Sequence, residues 1–104
     1  MAWSGERQLI MVEQPGCVYC ARWNAEIGGI YAKTDEGKLL PLRRVDLRGS
    51  ELKEMPLKGR VLYTPTFLLT EGGAEIARIE GYSGDELFWW MLSSLISQHV
   101  AKEE

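Results

Sequence analysis

The chain reads as an α/β protein with a mixed central sheet flanked by helices, in the order β-α-β-(short α)-β-β-α. Three observations predict it. The apolar run Leu9-Ile10-Met11-Val12 passes through Glu13-Gln14-Pro15-Gly16 into a helical pattern that opens at Cys17. A second apolar run, Leu42 to Leu47, follows that helix, so that strand, helix and parallel strand make a right-handed unit. Val61 to Glu80 then doubles back through Gly72-Gly73, ahead of a last segment with apolar residues at helical spacing. One domain spanning 1–104 is long enough to bury a sizeable core.

Gln8 to Val12 is a nearly continuous apolar stretch, as expected of a strand covered on both faces. From Cys17 the spacing predicts a helix with Ala21, Ile27, Ile30 and Tyr31 on its buried side. Gly28-Gly29 kinks or ends it, because each glycine costs about 1 kcal/mol relative to alanine. Thr34 to Lys38 reads as a polar loop. Leu42 to Leu47 is the second strand, with Pro41 at its entry, where a missing N–H does little harm. Ser50 to Leu57 holds a short helical turn, capped by Ser50 and ended by Pro56.

Val61 to Thr70 is strand-like, but Pro65 cannot sit mid-ladder, so the strand begins at Thr66. Glu71-Gly72-Gly73 turns the chain, and Ala74 to Glu80 returns as a hairpin partner near the sheet edge. Ser83-Gly84-Asp85-Glu86 has capping-box spacing. It opens a helix whose stripe is Leu87, Phe88, Met91, Leu92, Leu95 and Ile96. Trp89 and Trp90 cannot both lie on that stripe, so at least one is partly exposed.

Composition excludes some functions. A net charge of −3 argues against nucleic acid as the main partner. No apolar stretch approaches the roughly 18 residues that cross a membrane. The opening Met-Ala-Trp-Ser-Gly-Glu-Arg lacks a basic segment followed by an apolar one and so reads as no signal peptide. A cytoplasmic protein and a mature secreted domain would look alike here.

Cys17 and Cys20 carry the chemical signal. A thiol at a helix N-terminus faces unpaired backbone N–H groups and the positive end of the dipole, which favours its thiolate. The second thiol, one turn away, can displace whatever the first has captured. Three blander readings stand beside redox chemistry. A zinc site needs about four ligands, and the chain offers two cysteines and one histidine, His99. A structural disulfide would close too short a loop to remove much unfolded-chain entropy. Two idle buried thiols are the third reading. Ligand chemistry in open α/β sheets gathers at the carboxyl ends of strands, which is where Cys17 falls.

A strand, then Pro15-Gly16-Cys17-Val18-Tyr19-Cys20 and a helix, then Tyr63-Thr64-Pro65-Thr66-Phe67 before a hairpin and Gly81 after it, resembles the thioredoxin family. The resemblance runs from Gln8 to about His99. It implies the compact thioredoxin-like fold and a thiol:disulfide oxidoreductase with Cys17 and Cys20 as its catalytic residues. It also implies a cis Thr64–Pro65 bond against the cysteine pair, and substrate binding by Thr64, Pro65, Val18, Tyr19, Gly81 and Tyr82. No cofactor or metal is expected beyond the Cys17–Cys20 disulfide. The partners are protein disulfides, met by a monomer.

More narrowly, Pro-Gly-Cys-Val-Tyr-Cys-Ala-Arg-Trp-Asn, Leu-Arg-Arg-Val-Asp, Thr-Pro-Thr-Phe and Ile-Glu-Gly-Tyr resemble the periplasmic thioredoxins of bacterial sulfur-oxidation systems. That implies a periplasmic reductant, itself resupplied by a membrane thiol reductase, acting on a sulfur-carrier protein. Two departures from most thioredoxins stand out. Gly16 replaces a tryptophan, and Met11 and Leu42 replace a buried aspartate and its lysine partner. Glu13 or a buried water is then left to take the Cys20 proton. The Val18-Tyr19 pair adds no cation, which leans toward a reductant or isomerase.

Two other functions use the same residues. A glutaredoxin-type, glutathione-linked reductase is favoured by Tyr19 and the Gly81-Tyr82-Ser83-Gly84-Asp85 turn, and disfavoured by the long hairpin after Thr66. A binding module would share a metal between the cysteine pairs of two chains.

Overall fold

The fold, seen in a computed structural model that describes residues 6–100, is built on a four-stranded sheet. The opening segment read for a leader lies largely outside these residues. Strand β1 (Arg7–Glu13) leads to helix α1 (Val18–Trp23), which runs on as a π-helical turn, Asn24–Gly28. A 3-10 turn at Tyr31–Lys33 and helix α2 (Asp35–Leu39) precede strand β2 (Leu42–Asp46). Helix α3 (Ser50–Lys53), strands β3 (Thr66–Glu71) and β4 (Ala74–Glu80), and helix α4 (Asp85–His99) complete the order. Across the sheet the strands run β2-β1-β3-β4, with β1 parallel to β2 and the other pairs antiparallel.

Successive strand residues point to opposite faces, and the sheet divides its core accordingly. Leu9, Met11, Phe67 and Leu69 face α1 and α4, meeting Cys20, Trp23, Ile27, Tyr31, Phe88 and Leu92. Ile10, Val12, Val45 and Leu68 face Leu52 and Met55 around α3. Covering both faces explains why Leu9 to Val12 is apolar without alternation.

Trp23 is the side chain that the helical pattern underrated. It is fully buried, whereas Ala21 is exposed and Ile30 is 49% exposed, against the expectation that both face inward. For Ile30 the cause is the π-helical turn after Trp23, which adds a residue to the turn and rotates the later positions off a regular helical stripe. Ala21 lies before that turn, on the face of α1 away from Cys20 and Trp23. Trp23 packs at 5.3 Å from Phe67 and edge-on to Phe88 at 5.8 Å, and Phe67 meets Phe88 at 4.9 Å. Such pairs contribute about 0.5–1.5 kcal/mol each beyond area burial. Gly28 closes the π-helical turn, which is the early helix end expected of Gly28-Gly29.

Three local expectations are corrected. Thr34 to Lys38 is not a loop but the start of α2: Thr34 Oγ1 accepts from Gly37 N at 3.0 Å, and Asp35 and Glu36 stand in the first turn, where the dipole favours them. Gly49, not Ser50, caps α3, and no side chain serves as that cap. The Ser83 capping box does not form, because α4 starts later. Gly84 takes the cap position at φ +108°, a conformation that side chains rarely adopt, and Asp85 Oδ1 accepts from Glu86 N at 2.8 Å.

In α4, Phe88 and Leu92 are buried, and Leu87, at the margin of the stripe, is exposed. Trp89 stacks on Tyr31, with ring centroids 6.1 Å apart, and Trp90 is the exposed member of the pair. On β4, Glu75 is buried and accepts from Arg78 through both oxygens, at 2.6 and 2.7 Å.

Gly37 lies against the turn before it: a Cβ there would stand 1.8 Å from the Tyr31 carbonyl oxygen. Backbone cannot yield as a side-chain tip can, so Gly37→Ala is expected to lower the unfolding free energy by about 1–3 kcal/mol in urea titrations. A second prediction concerns acid. Burial pushes the Glu75 carboxyl up, but Arg78 and the Lys58 amide outweigh it and hold it below the usual value of 4.5. The stabilisation is full above 4.5 and is lost as pH falls through the lower folded-state value. The stability gap between the parent protein and Glu75→Gln should therefore narrow with acidification below 4.5. A gap independent of pH would contradict it.

Candidate active site

Register brings the site together. Val12 of β1 pairs with Thr66 of β3, and Thr66 pairs with Glu80 of β4. Because these neighbours are antiparallel, the end of β1, the start of β3 and the end of β4 fall on one edge of the sheet. The loop to Cys17, Pro65 and Gly81 extend from those three ends. Gly81 N donates to the Pro65 carbonyl at 2.8 Å, and Gln14 Nε2 donates to Thr64 Oγ1 at 3.1 Å. The Thr64–Pro65 bond is cis. Thr66 Oγ1, donating to the Tyr63 carbonyl at 2.6 Å, ties down the residues on either side of it.

Cys17 occupies the N-cap of α1 in extended conformation, and its Sγ accepts from Cys20 N at 3.1 Å. The two cysteines form a disulfide, with Cα atoms 5.2 Å apart. They differ in surroundings. Cys17 is partly exposed, whereas Cys20 is 4% exposed and belongs to the core cluster with Trp23 and Met11. In the reduced pair, the Cys20 N–H and the free helix end would favour a Cys17 thiolate. Burial among apolar groups would favour the neutral Cys20 thiol.

Two hollows flank the pair. Cys17, Val18 and Cys20 line one, together with Glu13, Gln14 and Asn24. Tyr19, Leu62, Tyr63, Thr64, Gly81 and Tyr82 line the other, a groove of about 650 Å³. Of the residues singled out in the sequence, Val18 thus sits on the cysteine side and Tyr19, Thr64, Gly81 and Tyr82 on the groove side. Pro65 is buried between β3 and the loop.

Tyr82 touches the groove but belongs mostly to the core: its ring packs 6.2 Å from Phe88, and its hydroxyl donates to Glu26. Burial, then the Glu26 carboxylate, holds its phenol well above the usual range. Sequence reasoning missed Leu62 as a groove residue and Gln14 as a tie to Thr64. The signal for Leu62 was two apolar residues, Leu62 and Tyr63, directly before Thr64-Pro65 in a stretch that could not be strand.

Met11 and Leu42 put apolar groups in the core, and charge lies at its rim. Arg44 donates to Glu13 Oε1 at 3.0 Å, to Asn24 Oδ1 at 2.9 Å and to Met11 Sδ at 3.5 Å, with its guanidinium 5.8 Å from the Trp23 ring centre. Among the described residues no three His, Cys, Asp or Glu side chains converge as a metal would need.

A thioredoxin-like domain family matches residues 2–96. The crystal structure of the periplasmic thioredoxin SoxS from Paracoccus pantotrophus, in its reduced form, is 48% identical, covers 89% of this chain and 98% of its own, and superposes with a TM-score of 0.85. The chain belongs to the thioredoxin-like family. It is a thiol:disulfide oxidoreductase with the Cys17–Cys20 pair at disulfide distance. Fold alone is shared with Fasciola hepatica thioredoxin, at 19% identity over 88% of this chain and 82% of that one, TM-score 0.62. The same holds for Trxlp from Edwardsiella tarda, at 22% identity over 86% and 84%, TM-score 0.65. No curated protein sequence matches the chain.

The difference in exposure between the two thiols predicts how they label. After reduction, a small alkylating agent near neutral pH should modify Cys17 well before Cys20, as read by peptide mass spectrometry. Equal rates, or a faster Cys20, would contradict the geometry.

Proposed function

We propose that the chain is a periplasmic thioredoxin that reduces a disulfide or mixed disulfide on a partner protein, using Cys17 as nucleophile and Cys20 as resolving thiol. The observation that carries this reading is the asymmetry of the pair, with a partly exposed cysteine at the helix cap and a buried one behind it. The Cys17 thiolate attacks a substrate sulfur; a bond forms between the two sulfurs, and the substrate's other sulfur leaves as a thiolate. The Cys20 thiolate then attacks Cys17 Sγ, closes the Cys17–Cys20 disulfide and releases the second substrate thiol. Two electrons pass to the substrate. Either Glu13, which lines the hollow beside Cys20, or a buried water takes the Cys20 proton in this reading. No cofactor beyond the disulfide is required.

Thr64, Pro65 and Gly81 supply the backbone edge along which a substrate segment lies, and Val18, Tyr19 and Tyr82 offer apolar surface beside it. A monomer suffices, since every group used comes from one chain. The compartment and partner rest on likeness to a thioredoxin described as periplasmic and named SoxS, together with the sequence resemblance to sulfur-oxidation thioredoxins. The likeness favours the periplasm, and the sequence resemblance favours a sulfur-carrier protein as target and a membrane thiol reductase as electron source. A reductant in an oxidising compartment needs such a supply, or its own dithiol stays oxidised.

The test is trapping. Cys20→Ser, given a signal sequence and expressed in the native host, should accumulate a mixed disulfide with a periplasmic sulfur-oxidation protein, resolved by diagonal electrophoresis. Cys17→Ser should trap nothing. Capture of cytoplasmic targets alone would overturn the compartment and the partner.

A further inference from the structure

Residues 54–65, between α3 and β3, contain no helix or strand, yet they supply one wall of the groove. Leu62 and Tyr63, at 60% and 59% exposure, stand on that wall without a covering element. A segment outside any ladder must find partners for its N–H and C=O groups elsewhere. It finds them on β4, in two side chains that the thiol chemistry does not use.

Glu75, whose side chain is 2% exposed, accepts from Lys58 N at 2.8 Å, and its own N–H donates to the Pro56 carbonyl at 3.0 Å. Arg78 donates to the Gly59 carbonyl at 2.9 Å and the Arg60 carbonyl at 3.0 Å, while its fork grips both Glu75 oxygens. It also reaches Glu80, which lines the groove, at 3.3 Å. A buried ion pair is a poor device for stability alone, because desolvation offsets its attraction. An apolar pair of similar size could fill the space but could not hold one amide and two carbonyls of the loop. The guanidinium is suited to this, since its planar donors span several acceptors at once.

We propose that Glu75 and Arg78 are positioning residues that hold the Leu62–Tyr63 wall of the groove, and so set affinity for protein disulfides without altering the thiols. The inference rests on the reading of that groove as the substrate surface. Arg78 contacts neither cysteine and, with Glu75, carries the fixed geometry of β4, a strand of the sheet, out to residues 56–60. That stretch leads into the wall, whose far end Thr66 and Gln14 hold at Tyr63 and Thr64. Losing it frees the wall to take many conformations, and a substrate must then order the wall on binding.

The experiment compares two substrates: insulin, a protein disulfide, and 5,5′-dithiobis(2-nitrobenzoate), a small one that needs no wall. Dithiothreitol is the electron donor for insulin. For the small disulfide the donor is the pre-reduced protein itself, after dithiothreitol has been removed, because dithiothreitol attacks that reagent directly. Arg78→Met should raise the KM for insulin by about three- to tenfold with kcat nearly unchanged. The rate with the small disulfide and the equilibrium potential against glutathione should stay at parental values. Arg78→Lys, which keeps charge but not the fork, should fall between. Tyr63→Ser, an exposed change on the wall itself, should raise the insulin KM too, and adding Arg78→Met to it should raise it little further.

An unchanged insulin KM in a folded Arg78→Met protein would overturn the proposal. So would a proportional loss on both substrates, or full additivity with Tyr63→Ser. A parent protein that reduces the small disulfide but not insulin would overturn the reading of the groove, and the positioning role with it.

Discussion

Antiparallel pairing of β3 with both β1 and β4 is the constraint on which the site depends. Cys17, Pro65 and Gly81 are scattered through the chain, and no local interaction could gather them. Pairing Val12 with Thr66 and Thr66 with Glu80 places the three strand ends side by side, at hydrogen-bonding distances of a few ångströms. A slip of one residue would turn every side chain of β3 to the other face. Phe67 and Leu69 would leave the aromatic cluster, and Thr64 would move away from Gln14. The apolar packing on both faces of the sheet therefore guards the geometry of the site, into which Cys20 and Tyr82 carry the core.

That packing also separates the two sulfurs. Trp23, buried one turn beyond Cys20, anchors α1 against Phe67 and Phe88, and so draws Cys20 into the core while Cys17 stays at the helix cap. One helix turn is enough to place two like groups in opposite settings, one facing free N–H groups and one facing methyl and aromatic groups. Arg44 seals the rim, joining Glu13, Asn24 and Met11 over the indole. The indole N–H itself has no hydrogen-bond partner among the described residues. Leaving it so costs about 1–3 kcal/mol, a cost that the surrounding rings offset.

Loops in this short chain are held by polar side chains. Gln14 reaches Thr64, Tyr82 reaches Glu26, and Glu75 with Arg78 reaches the segment before Pro65. Each tie crosses between elements far apart in sequence, at a place where no ladder or helix could serve. The sheet supplies rigidity, and these contacts carry it outward to the residues around the disulfide.

The residues alone determined which chemistry the chain performs and the broad order of its elements. A Cys-x-x-Cys at a strand-to-helix junction, a proline that no ladder admits, and a Gly-Gly hairpin are local signals, each with a local physical cause. The strands followed from short apolar runs between turn signals, and the last helix from the period of its apolar residues. Tertiary structure decided the rest. Trp23 is buried against Phe67 and Phe88, and the π-helical turn that follows it turns Ile30 outward. Neither the partners on other elements nor the extra residue in the turn is recorded by periodicity within the helix. Leu62 and Tyr63 stand on a groove wall in a loop whose bonds come from Glu75 and Arg78, on a strand that follows it, and from Gln14 and Thr66. Spacing along a chain reports what one element needs from its own neighbours. Partners brought together by the sheet leave no period to read.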